Sequence, residues 1–175
     1  MTKGLTFMRR ISRGILALAG ALVLTAGVAL PANAVEGNTI RSLASTPSKC
    51  VGLANNGSTA NGTRLVLWDC HLNVDQYWYW GGGPLLRSTA SGYPNGKCVG
   101  LANNGSTANG TELVLWDCHG NPDQQWSWVA LATPGWALKN TPSNKCVGLA
   151  NGGSTANGTR LVLWDCHLHL DQRWN

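Results

Sequence analysis

A passage of 30 residues occurs three times in this chain at a fixed interval. Lys49 to Trp78 reads K-C-V-G-L-A-N-N-G-S-T-A-N-G-T-R-L-V-L-W-D-C-H-L-N-V-D-Q-Y-W, and the same sentence returns from Lys97 and from Lys145. Cys50, Cys98 and Cys146 stand 48 residues apart, and Cys70, Cys118 and Cys166 keep that spacing. A repeat of this length marks a supersecondary unit that cannot bury its apolar face alone and needs its copies to do so.

Each unit reads as four short strands. Ile40–Leu43 opens the first, with Leu85–Ser88 and Ala137–Asn140 as its counterparts. Spacers rich in Pro, Gly, Asn and Ser follow, the residues that make turns. The second strand is Cys50–Ala54. A loop ending in the turn signal Asn61-Gly62 leads to the third, Arg64–Asp69, and a short turn leads to the fourth, Gln76–Trp80. No stretch beyond residue 34 carries a helical period. Roughly twelve strands in three units predict an all-β closed barrel with threefold pseudo-symmetry, which hides its edges and shares one core.

The first 34 residues read differently. Lys3, Arg9, Arg10 and Arg13 precede an apolar run, Ile15–Leu30, and then Ala32-Asn33-Ala34. This is the pattern of a secretory signal peptide cleaved after Ala34, and the run is short for a membrane span, which takes about 20 residues. The expected mature domain is 35–175, in lobes of about 38–84, 85–132 and 133–175. Its nine basic side chains face eight acidic ones, so the formal +5 of the whole chain falls to near neutrality. That excludes an electrostatic nucleic-acid surface, and no later segment suits membrane insertion. The expected location is extracellular. Six cysteines in an exported chain point to disulfides. Threefold repetition favours Cys50–Cys70, Cys98–Cys118 and Cys146–Cys166. A cyclic scheme beginning Cys70–Cys98 also respects the symmetry but ends in a long Cys166–Cys50 closure.

The third strand singles out the functional candidates. Side chains alternate along a strand, so Leu65 and Leu67 share one face and Val66 and Trp68 the other. With the leucines inward, Gly52, Val66 and Trp68 line an outward surface. An indole there offers a flat platform to the C–H face of a sugar ring, and placed polar groups must supply the hydrogen bonds. His71, Asp75 and Gln76 stand in the turn that follows.

The repeated C-V…G-S-T-A-N-G-T-x-L-V-L-W-D-C-H…D-Q-x-W closely resembles the ricin B-type lectin repeat, also called carbohydrate-binding module family 13. The Q-x-W tripeptides are Gln76-Tyr77-Trp78, Gln124-Gln125-Trp126 and Gln172-Arg173-Trp174. The resemblance covers residues 38–175. It implies a β-trefoil, one disulfide per lobe, and a shallow sugar pocket on each lobe. It assigns stacking to Trp68, Trp116 and Trp164, and polar ligand contacts to His71, Asp75 and Gln76, to His119, Asp123 and Gln124, and to His167, Asp171 and Gln172. One departure stands out. Gly52, Gly100 and Gly148 occupy a position where the family usually has an acid, and Val66, Val114 and Val162 one where plant members often have Gln. Losing a charged acceptor costs about 1.5–3 kcal/mol per bond. Either Asp75 and its copies supply the carboxylate, with altered specificity, or the sites are empty and the domain is an interaction or inhibitor scaffold. Restoring the acid with Gly52→Asp is expected to strengthen galactose-type binding.

Other readings are weaker. Trp78, Trp126 and Trp174 belong to the core. Asp69, Asp117 and Asp165 lie on the other strand face and read as structural. Trp80, Trp128 and Trp136 break the repeat and have no role assigned. Catalysis is not expected: a disulfide cysteine beside His71 is no nucleophile, and Asp69 and Asp75 lie on different elements, not as a glycosidase pair. No cofactor and no metal are expected, since nothing fixes Asp69, His71 and Asp75 together. Asn61-Gly62-Thr63 also fits a glycosylation acceptor. The partner expected is a glycan or polysaccharide.

Overall fold

The computed structural model describes residues 37–175, so the expected leader, 1–34, lies outside the described residues. Ten strands are formed: β1 (Cys50–Leu53), β2 (Thr63–Trp68), β3 (Trp78–Trp80), β4 (Leu86–Ser88), β5 (Cys98–Leu101), β6 (Leu113–Trp116), β7 (Trp126–Ala130), β8 (Trp136–Asn140), β9 (Lys145–Leu149) and β10 (Thr159–Trp164). They make one curled antiparallel sheet in the order β3-β4-β5-β6-β2-β10-β9-β8-β7, with β1 added on β2.

The two strands missing from the expected twelve are present as single bridges. Arg41 bridges Cys50, and Ser42 bridges Trp174, which also bridges Trp136. Arg41 and Asn175 exchange main-chain bonds of 2.8 and 3.0 Å, so the first and last segments close the sheet on each other. The fourth strand of lobe 1 starts at Trp78 and not at Gln76, because Val74–Gln76 winds into a 3₁₀ turn; Pro122–Gln124 and Leu170–Gln172 do the same.

The alternation expected along the third strand holds. Leu65, Leu67, Leu113, Leu115, Leu161 and Leu163 are all buried with Trp78, Trp126 and Trp174 in one core. Each of those indoles donates its N–H to a main-chain carbonyl, of Val51 (3.0 Å), Val99 (2.9 Å) and Val147 (3.2 Å). The disulfides pair within lobes, as Cys50–Cys70, Cys98–Cys118 and Cys146–Cys166. In the chain-entropy account, closing a loop of this size stabilises by roughly 3 kcal/mol.

Two devices join the lobes. β2 pairs with both β6 and β10, which brings the third strands of all three lobes together. At that junction Arg64 and Arg160 both reach the carboxylate of Glu112. The repeat has Arg at two of these positions and Glu at the third, which spares the junction three converging cations. Burial raises the Glu112 carboxyl, but bonds and charge from both guanidiniums outweigh it and hold it below its ordinary range. The second device uses the Asn-Gly turns. Asn61 donates to Asp117 (2.7 Å) and accepts from Lys97 (2.8 Å) and from the Asp117 main-chain N–H (3.1 Å). Asn109 makes the same clasp with Asp165 and Lys145, and Asn157 with Asp69 and Lys49. These aspartates are therefore structural, as expected. The Asn61 side-chain nitrogen is already engaged, so a glycan attached there would break the clasp.

Candidate functional site

Each lobe carries one cleft built from its second and third strands and the turn after them. Those of lobes 1, 2 and 3 measure about 570, 610 and 510 Å³. In lobe 1 the floor is Gly52 and Val66, which face each other across β1 and β2. Both are buried, so they are a floor and not the open surface expected of them. Trp68 ends β2 on the same face and forms one wall, 44 % exposed. Trp116 and Trp164 are exposed to the same degree. The ring does not stand free. A Cβ at Gly158 would lie 3.7 Å from Trp68 Cζ3, so the Asn-Gly turn of the neighbouring lobe backs the platform; Gly62 backs Trp116 and Gly110 backs Trp164.

The far wall begins with a left-handed turn, Ala54–Gly57. Asn55 and Asn56 both have φ of 54° and Gly57 has 77°. Asn tolerates this region better than other non-glycine residues, which accounts for Asn-Asn-Gly here and in lobe 2. Gly57 is needed for a second reason. A Cβ there would fall 3.0 Å from Asp75 Cβ.

Asp75 and His71 complete the wall. His71 Nε2 lies 3.8 Å from Asp75 Oδ2, and the distances are 3.8 Å in lobe 2 and 3.6 Å in lobe 3. His71 Nδ1 accepts from the Asn73 main-chain N–H at 3.3 Å. In the neutral ring this leaves the hydrogen on Nε2, aimed toward the carboxylate. Among the described residues no protein donor is within bonding distance of the Asp75 carboxylate. The cleft thus sets one flat apolar face against a carboxylate acceptor and a ring N–H donor, beside the asparagines and arginines that also line it.

Gln76, Gln124 and Gln172 do not join this set. All three are fully buried. Gln76 donates to the Asp69 carbonyl (2.9 Å) and accepts from the His71 main-chain N–H (3.0 Å). Gln124 and Gln172 make these bonds and accept one more, from Gly120 and Leu168. They brace the turn from below, because a buried amide must have both ends satisfied. The ligand role given them by resemblance is corrected on this ground.

The space for an acid at position 52 is also taken. A Cβ on Gly52 would sit 3.0 Å from Gln76 Cγ and 3.3 Å from Asp75 Oδ2. Asp75 leans its carboxylate over the bare glycine, and Asp123 and Asp171 do so over Gly100 and Gly148. Gly52→Asp would therefore crowd one carboxylate with another, contrary to the expected gain.

Asp69 points to Asn157 and Lys49, so it does not converge with His71 and Asp75. One set of metal-type donors does come together, however: His167, His169 and Asp171. The His-x-His spacing in lobe 3 was its signal in the sequence. Trp80, Trp128 and Trp136 line a separate recess of about 360 Å³ with Trp78 and Asn175, drawn from all three lobes.

The family description "Ricin-type beta-trefoil lectin domain" matches residues 37–174. Among solved structures the chain is similar to the designed threefold-symmetric protein ThreeFoil, with 23% identity and a TM-score of 0.68 over 78% of this chain and 94% of that one. It is similar to the C-half of an earthworm R-type lectin in complex with GalNAc, with 14% identity and a TM-score of 0.59 over 78% of this chain and 94% of that one. It is similar to a ricin B-like lectin of Macrolepiota procera in complex with lactose, with 22% identity and a TM-score of 0.60 over 82% of this chain and 96% of that one. No curated protein matches the chain in sequence.

Proposed function

The chain belongs to the ricin-type β-trefoil lectin family, and from that premise we propose that it is a secreted, non-catalytic carbohydrate-binding protein with up to three equivalent shallow sites. The fold is a β-trefoil with one disulfide per lobe. The observation that carries the reading is the half-exposed Trp68 platform standing in one cleft with the His71–Asp75 pair, whose carboxylate accepts no hydrogen bond from the described residues and whose ring offers an Nε2–H. A pyranose lies with its C–H face on the indole. One hydroxyl donates to Asp75 and another accepts from His71. Trp116, Asp123 and His119 repeat the arrangement in lobe 2, and Trp164, Asp171 and His167 in lobe 3.

Asp75 takes the place of the family's usual acid, which supports altered specificity in preference to empty sites. The first sugars to test are galactose-type, because GalNAc and lactose are the ligands in two similar structures. A shallow polar cleft binds one sugar weakly, and a polymer engaging several lobes gains roughly 10²–10⁴ in avidity if its spacing fits. The basic, apolar and A-x-A pattern of residues 1–34 supports export, with 35–175 as the mature lectin.

The test is retention on a glycan array and on immobilised polysaccharides, comparing the protein with the triple variant Trp68→Ala/Trp116→Ala/Trp164→Ala. Retention that disappears in a folded triple variant supports the lectin reading. A folded wild-type protein retained on no glycan moves the function to the alternative, an interaction or inhibitor scaffold.

A further inference from the structure

Lobe 3 differs from its copies at the rim of its cleft. His167 and Asp171 repeat His71 and Asp75, but His169 stands where lobes 1 and 2 have Asn73 and Asn121. The backbone is extended at all three positions, with φ and ψ of −69° and 172° at His169, −80° and 157° at Asn73, and −64° and 166° at Asn121. The change is therefore one of side chain alone. It brings a second imidazole beside the first, with ring centroids 4.7 Å apart. One donor atom from each of His167, His169 and Asp171 lies within 4.8 Å of the other two.

We propose that lobe 3 holds a divalent transition-metal ion, Zn²⁺ by the chemistry of its donors, on His167, His169 and Asp171. Two imidazole nitrogens and one carboxylate oxygen suit Zn²⁺, which takes four ligands, whereas Ca²⁺ and Mg²⁺ take oxygen donors. Bonds of about 2.0–2.1 Å in a tetrahedron place the donors roughly 3.4 Å apart. The set must therefore contract by up to about 1.4 Å on binding. His167 Nε2 and Asp171 Oδ2 already stand at 3.6 Å, and both histidines are exposed enough to turn.

His167 Nδ1 accepts a long 3.3 Å bond from the His169 main-chain N–H. Coordination through Nε2 shifts the ring hydrogen to Nδ1 and gives up that bond, the weakest at this turn. Three protein ligands leave a coordination position open. His167, His169 and Asp171 all line the cleft that Trp164 walls. Lobes 1 and 2 are built-in controls, holding the same His–Asp pair without the second imidazole. The proposal does not rest on glycan binding, but a bound ion would occupy the His167 and Asp171 atoms offered to sugar in lobe 3, so the titrations are made without sugar.

The experiment uses the disulfide-intact chain without an affinity tag, stripped of metal and titrated with ZnCl₂ by calorimetry and with Co²⁺ by visible absorption. One Zn²⁺ per chain is expected, together with tetrahedral Co²⁺ bands. His169→Asn, which restores the residue type of the other lobes, should weaken binding at least tenfold without changing the melting temperature of the metal-free protein. Asn73→His should create a second equivalent of binding in lobe 1. Wild-type affinity in His169→Asn, or no binding by the wild-type chain, overturns the proposal. So does a stoichiometry of three, which would assign the metal to the His–Asp pair alone.

Discussion

Set lobe 1 beside lobe 3 and the framework repeats element for element while the rim diverges. The disulfides span Cα distances of 5.1 and 5.0 Å. Trp68 and Trp164 are equally exposed, and each is backed by a neighbour's glycine, where an added Cβ would lie 3.7 and 3.6 Å from the ring. Yet Asn56 becomes Gly152, Asn73 becomes His169 and Tyr77 becomes Arg173, whose Nε donates to the Leu168 carbonyl at 2.7 Å. Positions that hold the lobe together are repeated because each meets the same steric and hydrogen-bonding demand three times. Rim side chains meet no such demand, apart from the positive φ that Asn56 and Gly152 both take, so there the lobes are free to acquire different chemistry.

The largest effect should come from the buried glutamines, and it should differ between lobes. Gln76 satisfies one N–H and one carbonyl, whereas Gln172 satisfies the N–H groups of His167 and Leu168 and the carbonyl of Asp165. Each buried polar group left unpaired costs about 1–3 kcal/mol. Gln76→Leu is therefore expected to cost about 2–4 kcal/mol and Gln172→Leu about 1 kcal/mol more, read as melting temperatures roughly 5–15 °C below wild type. Equal losses in the two lobes would mean that the extra bond to Leu168 contributes nothing.

Next in size is the glycine beneath the carboxylate. In a Trp116→Ala/Trp164→Ala background, where lobe 1 alone is read, Gly52→Asp should weaken sugar binding about tenfold. The new carboxylate disturbs the Asp75 acceptor, and a charge-assisted bond is worth about 1.5–3 kcal/mol. Tighter binding in a sugar titration would show that Asp75 swings aside and that the usual family acid fits after all.

A similar change at the lobe junction should be somewhat milder. Glu112→Arg removes two ion pairs and gathers three guanidiniums where the repeat tolerates two. About 1 kcal/mol of destabilisation is expected at low salt, shrinking as salt screens the repulsion. Glu112→Gln should lose less, since it removes attraction without adding a like charge. Chemical denaturation at two salt concentrations separates the two variants.

These residues also mark where sequence reasoning stops. The 48-residue interval, the paired cysteines and the alternation of Leu65, Val66, Leu67 and Trp68 are local or periodic, so fold, disulfides and platform were legible. Alternation fixes the face a side chain takes, but not its depth or its partner. Val66 and Gly52 therefore proved to be floor, and Gln76 proved to be a brace under it. The Asn61–Asp117 clasp joins residues 56 apart in different lobes, and no pattern in one unit announces it. Glu112 was visible as an exception among arginines, but its meaning needed the three strands to meet. The left-handed Asn55-Asn56-Gly57 turn read only as a loop, because its composition fits many turns.

The smallest expected effect tests the symmetric clasps against the asymmetric rim. The Asp69 carboxyl is held below its ordinary value by the Asn157 amide, with burial opposing and Lys49 assisting. Asn61 with Lys97 does the same for Asp117, and Asn109 with Lys145 for Asp165. A carboxyl that binds its proton less readily in the folded chain stabilises that chain fully above its unfolded pKa. The stabilisation is lost as pH falls through the lower folded value. Acid should therefore loosen all three clasps together once the pH drops below about 3.8, the ordinary value for Asp. Glu112 adds a loss of the same sign from its own ordinary value of 4.5, so the clasps are best read in a Glu112→Gln background. There, Asp69→Asn/Asp117→Asn/Asp165→Asn should flatten the acid limb of melting temperature against pH and leave the neutral limb slightly lower. An acid limb unchanged by the triple substitution would assign acid sensitivity to other carboxyls and leave the clasps as geometry without energetic weight.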